Sequence, residues 1–329
     1  MNDKIKILKK FAVFIIIMFL LDFSIGFVLR KIYFSQKSGW DYRTTYVINE
    51  VKSDVLILGS SRAAHHYNPS IIEDSLKLSA YNGGRDGCTV FYHYALLKSA
   101  LKRYHPKVVI LDLMPLEFEQ DQNAYDRISI LLPYYDSHPE IRPVCLLRGK
   151  FERYKLLSKM YPYNSKLFSS ITTLFNLKRK INESQLKGYL QLDNIYDGSA
   201  NPATLYADDI DTAKVTYFKN FINTCRSEHV KVMVCVSPLF VKMRNNSKSI
   251  EIAKSFCGET HTPFFDYTKE TGFDDRKLFS DYNHMNGTGA TKFTAMFTAK
   301  IRETLNANSF VATVVRSPYG STEKSIKRR

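Results

Sequence analysis

Two stretches of the chain, far apart in sequence, carry residue types that together could activate a hydroxyl group. Gly59-Ser60-Ser61-Arg62 follows an apolar run, and a serine at a strand-to-helix turn exposes both its hydroxyl and its own N–H. Asp281 and His284 lie three residues apart, so the carboxylate can orient the imidazole toward a serine. Taken alone, the Gly-Ser-Ser motif is more typical of a structural turn, and the Asp281 and His284 motif is more typical of an acid at a helix start with a surface histidine. Together they predict a nucleophile, Ser61, with His284 as its base and Asp281 as the orienting acid.

A glycine-dense loop supplies the third chemical element. The stretch reads Asn82-Gly83-Gly84-Arg85-Asp86-Gly87-Cys88-Thr89, and glycines allow a backbone N–H to approach a ligand closely. A simple tight turn explains such a loop almost as well. The loop therefore indicates a site only in combination with the serine and histidine motifs.

Short apolar and β-branched runs bounded by turn residues recur from residue 51 onward. Helical patterns separate most of them, and this alternation predicts a parallel sheet covered by helices on both faces. The predicted strands are Asp54–Gly59, Ala80–Asn82, Lys107–Leu113, Val230–Ser237 and Pro263–Tyr267. Functional residues of such sheets lie on loops beyond the carboxyl ends of the strands, which is where Ser61 and the glycine loop fall.

In order and spacing, these motifs resemble the SGNH (GDSL-like) hydrolase superfamily. Ser61 matches the nucleophile of the first block, with Ser60 in place of the usual Asp, and Asp281 and His284 match the last block. The resemblance covers roughly residues 52–115 and 210–305. It implies an α/β fold, a flavodoxin-like three-layer sandwich with a central parallel sheet. It also implies an oxyanion hole formed by the N–H groups of Ser61 and Gly87.

The third block of the family is altered in this chain. Where the family has Gly-x-Asn-Asp after a strand, the chain reads Leu111-Asp112-Leu113-Met114-Pro115, so the side-chain oxyanion donor is missing. Losing one such donor typically costs about 3–4 kcal/mol in the transition state. Arg62, Arg85 and Asn283 lie in the predicted site loops and are candidates for substrate binding or for a replacement donor. Similar replacements occur in membrane-anchored relatives that acylate cell-envelope polymers.

The N-terminal region predicts a membrane anchor. Phe11 to Leu29 is an apolar run of nineteen residues, which as a helix rises roughly 28 Å, close to the thickness of a bilayer core. A cleaved signal peptide is the alternative, but no small-x-small cleavage motif follows. Lysines in residues 1–10 favour a cytoplasmic N-terminus and an extracytoplasmic body. We expect residues 30–50 to be a linker and residues 51–308 to form the α/β domain.

The net charge of the chain reflects location more than a polyanionic partner. Lys plus Arg number 47 against 32 Asp plus Glu, giving +15, but much of the excess flanks the apolar run, lies in the tail 309–329 or lies in residues 142–187. No nucleic-acid-binding motif appears, so nucleic acid is not an expected partner. Residues 116–209 are too long for a simple crossover and predict a mainly helical insertion that forms a wall or a lid over the site. The tail is predicted to be disordered.

The five cysteines form no CxxC pair and their number is odd, so they predict neither a zinc site nor a full disulfide framework. We expect no metal and no cofactor. We expect a membrane-anchored serine esterase or O-acyltransferase that acts on acyl, most simply acetyl, esters of cell-envelope glycans. An integral membrane protein that delivers the acyl donor is a possible partner. The rival hypothesis is a noncatalytic SGNH-fold protein that binds or assembles a glycan.

Overall fold

The five predicted strands all form, and they build one parallel sheet. A computed structural model describes residues 2–166, 187–198, 209–243 and 247–315, with side chains up to residue 306. The strands are β1 (Val55–Gly59), β2 (Ala80–Asn82), β3 (Val108–Asp112), β4 (Lys231–Val236) and β5 (Phe264–Asp266). Their order, β2-β1-β3-β4-β5, is the flavodoxin-like doubly wound order. The predicted fold class is thereby confirmed.

Helices cover both faces of this sheet, and eleven α-helices lie in the described ranges. They are α1 (Asn2–Phe34), α2 (Gly39–Asn49), α3 (Ser61–His66), α4 (Pro69–Leu76), α5 (Val90–Leu101), α6 (Gln122–Arg127), α7 (Arg142–Leu146), α8 (Glu152–Lys155), α9 (Thr212–Ser227), α10 (Lys248–Glu259) and α11 (Gly287–Val315). Alternate strand residues enter two separate cores, as the two-residue period of a strand requires. Leu56 and Leu58 pack with α2, α5 and α9, whereas Val55 and Ile57 pack with α4 and α11.

The register of the central strands aligns their carboxyl ends. Gly59 of β1 is paired with Asp112 of β3, and Asp112 is paired with Cys235 of β4. The loops that follow these three positions therefore leave the sheet side by side. The crevice where the strand order reverses, between β1 and β3, is the usual ligand position of such sheets.

The segment expected to be a linker is part of the folded domain, which corrects the sequence-based boundary. Helix α1 continues to Phe34, and α2 occupies residues 39–49 with Val47 and Ile48 fully buried. Asp41 on α2 also pairs with Arg85 of the glycine loop at 2.8 Å. Such long-range partners determine the burial of α2, and its local sequence gives no sign of them.

The insertion is helical but more broken than its periodicity predicted. Its described part holds α6, α7, α8 and 3₁₀ turns at Ile128–Tyr134, Pro139–Ile141 and Tyr161–Lys166. The second helical pattern, beyond residue 166, lies outside the described residues. The ends of the insertion meet at a bridge between Glu119 and Ile210. Helix α11 continues to Val315, into the stretch expected to be a disordered tail, and residues 316–329 lie outside the described ranges.

Candidate active site

Ser61 lies at the turn that joins β1 to α3. Gly59 ends the strand with φ +153°, and a Cβ there would lie 2.7 Å from the carbonyl oxygen of Asp112, so only glycine fits. Ser60 caps α3 by accepting a hydrogen bond from the N–H of Arg62. Ser61 is consequently the first helical residue, where its N–H has no intrahelical acceptor.

The side chains of Ser61, His284 and Asp281 form one hydrogen-bonded chain. His284 Nε2 lies 2.7 Å from Ser61 Oγ, and His284 Nδ1 lies 2.8 Å from Asp281 Oδ2. A carboxylate only accepts hydrogen bonds, so Nδ1 carries the proton and Nε2 is free to accept the proton of the serine hydroxyl. This is the geometry that a serine nucleophile with a general base requires.

Local backbone bonds hold Asp281 in place. Its Oδ1 accepts from the N–H groups of Asn283 at 2.7 Å and of His284 at 2.8 Å. Partial burial acts to raise the pKa of Asp281, but these bonds and the contact with His284 outweigh it and lower the pKa below the ordinary 3.8. The carboxylate is therefore ionised at neutral pH and stabilises an imidazolium at His284.

A buried histidine supports the loop that carries His284. His66 Nε2 accepts from the N–H of Met285 at 3.0 Å, so the proton of this ring resides on Nδ1, which lies 2.8 Å from Ser237 Oγ. Burial, followed by the charge of Arg62, lowers the pKa of His66 well below its usual value. His66 is therefore a neutral bridge between the end of β4 and the histidine loop.

Arg62 is a positioning residue and does not face the substrate. The side chain is fully buried, which corrects the prediction that it binds substrate. Its guanidinium donates to Asn283 Oδ1 at 3.1 Å, to Ser237 Oγ at 2.9 Å and to the Ser237 carbonyl, and it lies 3.7 Å from Asp112 Oδ1. Tyr67 donates to the other oxygen of Asp112 at 2.6 Å. The network joins three strand ends beneath the candidate site.

Arg85, like Arg62, makes its polar contacts within the protein. It pairs with Asp41 at 2.8 Å and donates to the carbonyl of Trp40 at 2.9 Å and to Thr44. Its side chain is about nine-tenths buried. The predicted role in substrate binding is therefore replaced by a role in holding α2 against the glycine loop.

Gly87 provides a free backbone donor beside a cation. Its φ is +67°, and within the described part of the chain neither its N–H nor that of Ser61 has a hydrogen-bond acceptor. A Cβ at Gly87 would lie 3.0 Å from Nη2 of Arg127, so the guanidinium covers the glycine. Arg127 is exposed and makes no hydrogen bond or ion pair with another described residue. Charge on an oxygen held at Gly87 would therefore lie next to this guanidinium.

The insertion contributes a wall through residues 187–196. Leu190 accepts a hydrogen bond from His65 Nδ1 at 2.6 Å, and Leu192 accepts one from the N–H of Gly287 at 2.8 Å. The His65 ring lies 5.5 Å from that of His284, and its Nε2 lies 3.4 Å from Asp86. This part of the insertion therefore packs beside the candidate site.

Sequence reasoning missed several residues of this site. His65 and His66 lie three and four residues after Arg62, and Ser237 follows the last residue of β4 at the carboxyl edge of the sheet. Their position at this edge was a signal in the sequence that could have identified them. Arg127 lies in the insertion, where no motif marks it. Among the described residues, no group of three or more His, Cys, Asp or Glu could hold a metal ion.

No protein-family model and no curated protein matches the chain. Solved structures do align with it. A candidate acylhydrolase from Bacteroides fragilis is 10% identical with a TM-score of 0.41, over 83% of this chain and 99% of that one. An acetyl xylan esterase from the rumen bacterium Butyrivibrio proteoclasticus is 10% identical with a TM-score of 0.33, over 77% of this chain and 64% of that one. At this level of similarity, the chain's own sheet order and side-chain geometry define its fold and its site.

Proposed function

We propose that this protein is a membrane-anchored, extracytoplasmic serine esterase or O-acyltransferase of the SGNH type. The observation that carries the proposal is the hydrogen-bonded chain from Ser61 Oγ through His284 to Asp281. A noncatalytic binding protein has no need to hold a serine hydroxyl at 2.7 Å from an oriented imidazole. The enzymatic hypothesis is therefore favoured over the glycan-binding one.

The proposed reaction proceeds through an acyl-enzyme. His284 takes the hydroxyl proton as Ser61 Oγ attacks the carbonyl carbon of an acyl ester, and the imidazolium then protonates the leaving alcohol. Water or a sugar hydroxyl next gives its proton to His284 and attacks the acyl-serine, which regenerates Ser61. A water acceptor makes the protein a hydrolase, and a sugar acceptor makes it a transferase.

The oxyanion would be held by the N–H groups of Ser61 and Gly87. The altered third block supplies no side-chain donor, because Asp112 is buried against Arg62 and Tyr67. We assign the missing donor to the side-chain amide of Asn283, with the guanidinium of Arg127 adding positive charge beside Gly87. Preorganised donors of this kind supply much of the rate enhancement in acyl transfer.

The proposed substrate is an acylated glycan of the cell envelope. Tyr282, which lies between the acid and the base in sequence, has a 62% exposed side chain, and an exposed aromatic ring suits the apolar face of a sugar. The apolar helix α1, the one candidate membrane span among the described residues, supports a location at the membrane. In our proposal α1 is an uncleaved anchor with the domain outside the cytoplasm.

Hydrolysis of p-nitrophenyl acetate by the full-length protein tests the catalytic core. We expect Ser61→Ala to lose about a thousandfold or more in kcat, while Ser70→Ala, a partly exposed serine of α4, keeps wild-type activity. A fluorophosphonate probe should label wild type but not Ser61→Ala in intact membranes. Equal rates for wild type and Ser61→Ala would exclude the mechanism.

The glycan assignment needs a separate comparison. Tyr282→Ala should raise KM for an acetylated polysaccharide and leave p-nitrophenyl acetate hydrolysis unchanged, because p-nitrophenyl acetate carries no sugar for the ring to contact. If both substrates respond equally to the substitution, Tyr282 does not recognise a sugar. Mass spectrometry of reactions with added oligosaccharide acceptors would then distinguish acetyl transfer from hydrolysis.

A further inference from the structure

The outer half of α1 is packed against the domain. Residues 11–20 are exposed on every side, whereas Asp22, Gly26, Leu29 and Tyr33, which share one helix face, are partly or fully buried. A Cβ at Gly26 would lie 2.5 Å from the carbonyl carbon of Lys159, so glycine permits the helix to touch the insertion. The insertion therefore contacts the apolar run itself, below its outer end.

The carboxylate of Asp22 bonds to the same part of the insertion. It accepts hydrogen bonds from the hydroxyl of Ser158, from the N–H of Lys159 at 2.7 Å and from the N–H of Met160 at 3.4 Å. Backbone N–H groups in an apolar layer require such an acceptor, because no water is there to replace it. Asp22, an unusual residue within an apolar run, thus has a structural explanation.

The depth of this contact follows from helix geometry. A helix rises about 1.5 Å per residue, which places Asp22 about 16 Å above Phe11 and about 10 Å below Leu29. If the run from Phe11 to Leu29 fills a hydrocarbon core of about 30 Å, the backbone at residues 158–160 lies within the outer leaflet.

The surface next to this contact is apolar and basic. Phe151, Tyr154 and Leu157 are 60%, 68% and 73% exposed and lie three residues apart around α8. Glu152 on the opposite side is buried and bonds to Arg148 and Tyr161, so the exposed face is held in place. Lys150, Arg153, Lys155 and Lys159 are the exposed basic residues between positions 150 and 160.

This exposed face is continuous with the membrane-spanning helix. Leu157 and Lys159 form a groove of about 410 Å³ together with α1 residues between Ile16 and Phe23. An apolar face with flanking Lys and Arg, adjoining a membrane span, matches an element that lies in the headgroup and upper acyl-chain region of a bilayer.

We propose that residues 150–160, the seating turn, insert into the outer leaflet, so that the domain is seated in the membrane surface and is not suspended above it. The occupant of the exposed face is lipid. The proposal rests on the proposed retention of α1 as an anchor, and it is independent of the catalytic chemistry.

Depth-dependent quenching in lipid nanodiscs tests the seating turn. The variants Phe151→Cys, Tyr154→Cys and Leu157→Cys of the full-length protein would each carry an environment-sensitive fluorophore on the new thiol. The lipids would carry a nitroxide in the upper acyl chain. The five native cysteines are buried, so labelling selects the introduced thiol. We expect the three positions to lose about half of their emission, as immersion at the headgroup boundary requires.

Two matched labels separate the possible outcomes. Ile195→Cys, at another exposed apolar residue of the domain, should not be quenched, and Phe14→Cys in α1 should be quenched strongly. If Phe14→Cys is quenched but the seating turn behaves like Ile195→Cys, the turn does not contact lipid and the inference is wrong, although the anchor stands. If Phe14→Cys is also unquenched, the anchor and the inference fail together. Neither result bears on hydrolysis of p-nitrophenyl acetate.

Discussion

Arg62, the residue after the proposed nucleophile, donates a hydrogen bond of 3.1 Å to Oδ1 of Asn283, the residue before the proposed base. A guanidinium only donates hydrogen bonds, so the amide oxygen of Asn283 must face Arg62. The NH₂ group of Asn283 therefore points away from Arg62. Asn283 is partly exposed, and within the described residues its NH₂ group has no acceptor. The buried arginine thus orients the Asn283 amide, and we propose that its NH₂ group takes the role of the donor that the altered third block lacks.

Asn283→Ala should therefore lower kcat for p-nitrophenyl acetate about a hundredfold, with a smaller effect on KM, because an oxyanion donor acts mainly in the transition state. Asn283→Asp is the matched variant, since it keeps an acceptor for Arg62 but removes the NH₂ donors. We expect the two variants to be similarly impaired. Wild-type kcat in Asn283→Asp would show that the amide does not contact the oxyanion.

Arg127 should contribute through its charge. Arg127→Ala removes the guanidinium that covers Gly87 and should reduce kcat by about tenfold to a hundredfold, while Arg127→Lys retains part of the activity. Arg226→Ala is the control, because Arg226 is an exposed arginine near the amino end of β4, on the opposite edge of the sheet. If Arg127→Ala and Arg226→Ala have the same kcat as wild type, the charge at Gly87 has no catalytic role.

The strand positions and the order of the motifs were predictable, because hydrophobic runs and turn residues are local signals. The burial of Arg62 was not predictable, because its partners Ser237 and Asn283 are distant in the chain. Only the folded sheet brings them together. The same holds for Arg85, whose partner Asp41 lies on a helix that the sequence suggested was a linker. The structural contacts of Arg62 and Arg85 could therefore be distinguished from substrate binding only once the fold was known.

The ion pair beneath the site should matter for stability. Burial raises the pKa of Asp112 above its ordinary 3.8, although Arg62 and the hydrogen bond from Tyr67 act against this rise by favouring the carboxylate. Arg62→Met leaves Asp112 buried without its cation and should reduce the free energy of unfolding by about 3–5 kcal/mol. The double variant Arg62→Met with Asp112→Asn removes the unpaired charge and should recover part of that loss.

Urea denaturation of the detergent-solubilised full chain would measure these differences. The p-nitrophenyl acetate assay on the double variant gives a second readout, because Asn283 loses its orienting partner even when stability is restored. We expect a low kcat in the double variant. A double variant as unstable as Arg62→Met would show that the charge of Asp112 is not the cause.

Two buried histidines should make stability depend on pH. Burial lowers the pKa of His93 to about 3, and burial together with Arg62 lowers that of His66 well below 6.5. Both groups titrate near their ordinary value when the chain unfolds, so between that value and the folded pKa the unfolded state binds more protons. Their contribution to stability is thus complete above about pH 6.5 and decreases as the pH falls, by up to about 1.4 kcal/mol per pH unit for each histidine.

His93→Leu isolates one of these contributions, because His93 lies on α5 with a fully buried side chain, outside the hydrogen-bonded chain of Ser61, His284 and Asp281. The free energy of unfolding, measured by urea denaturation at several pH values between about 5 and 7, should fall less steeply with decreasing pH in the variant than in wild type. The difference in slope should approach about 1.4 kcal/mol per pH unit. Equal slopes would mean that His93 does not remain neutral in the folded protein, whatever the absolute stability of the variant.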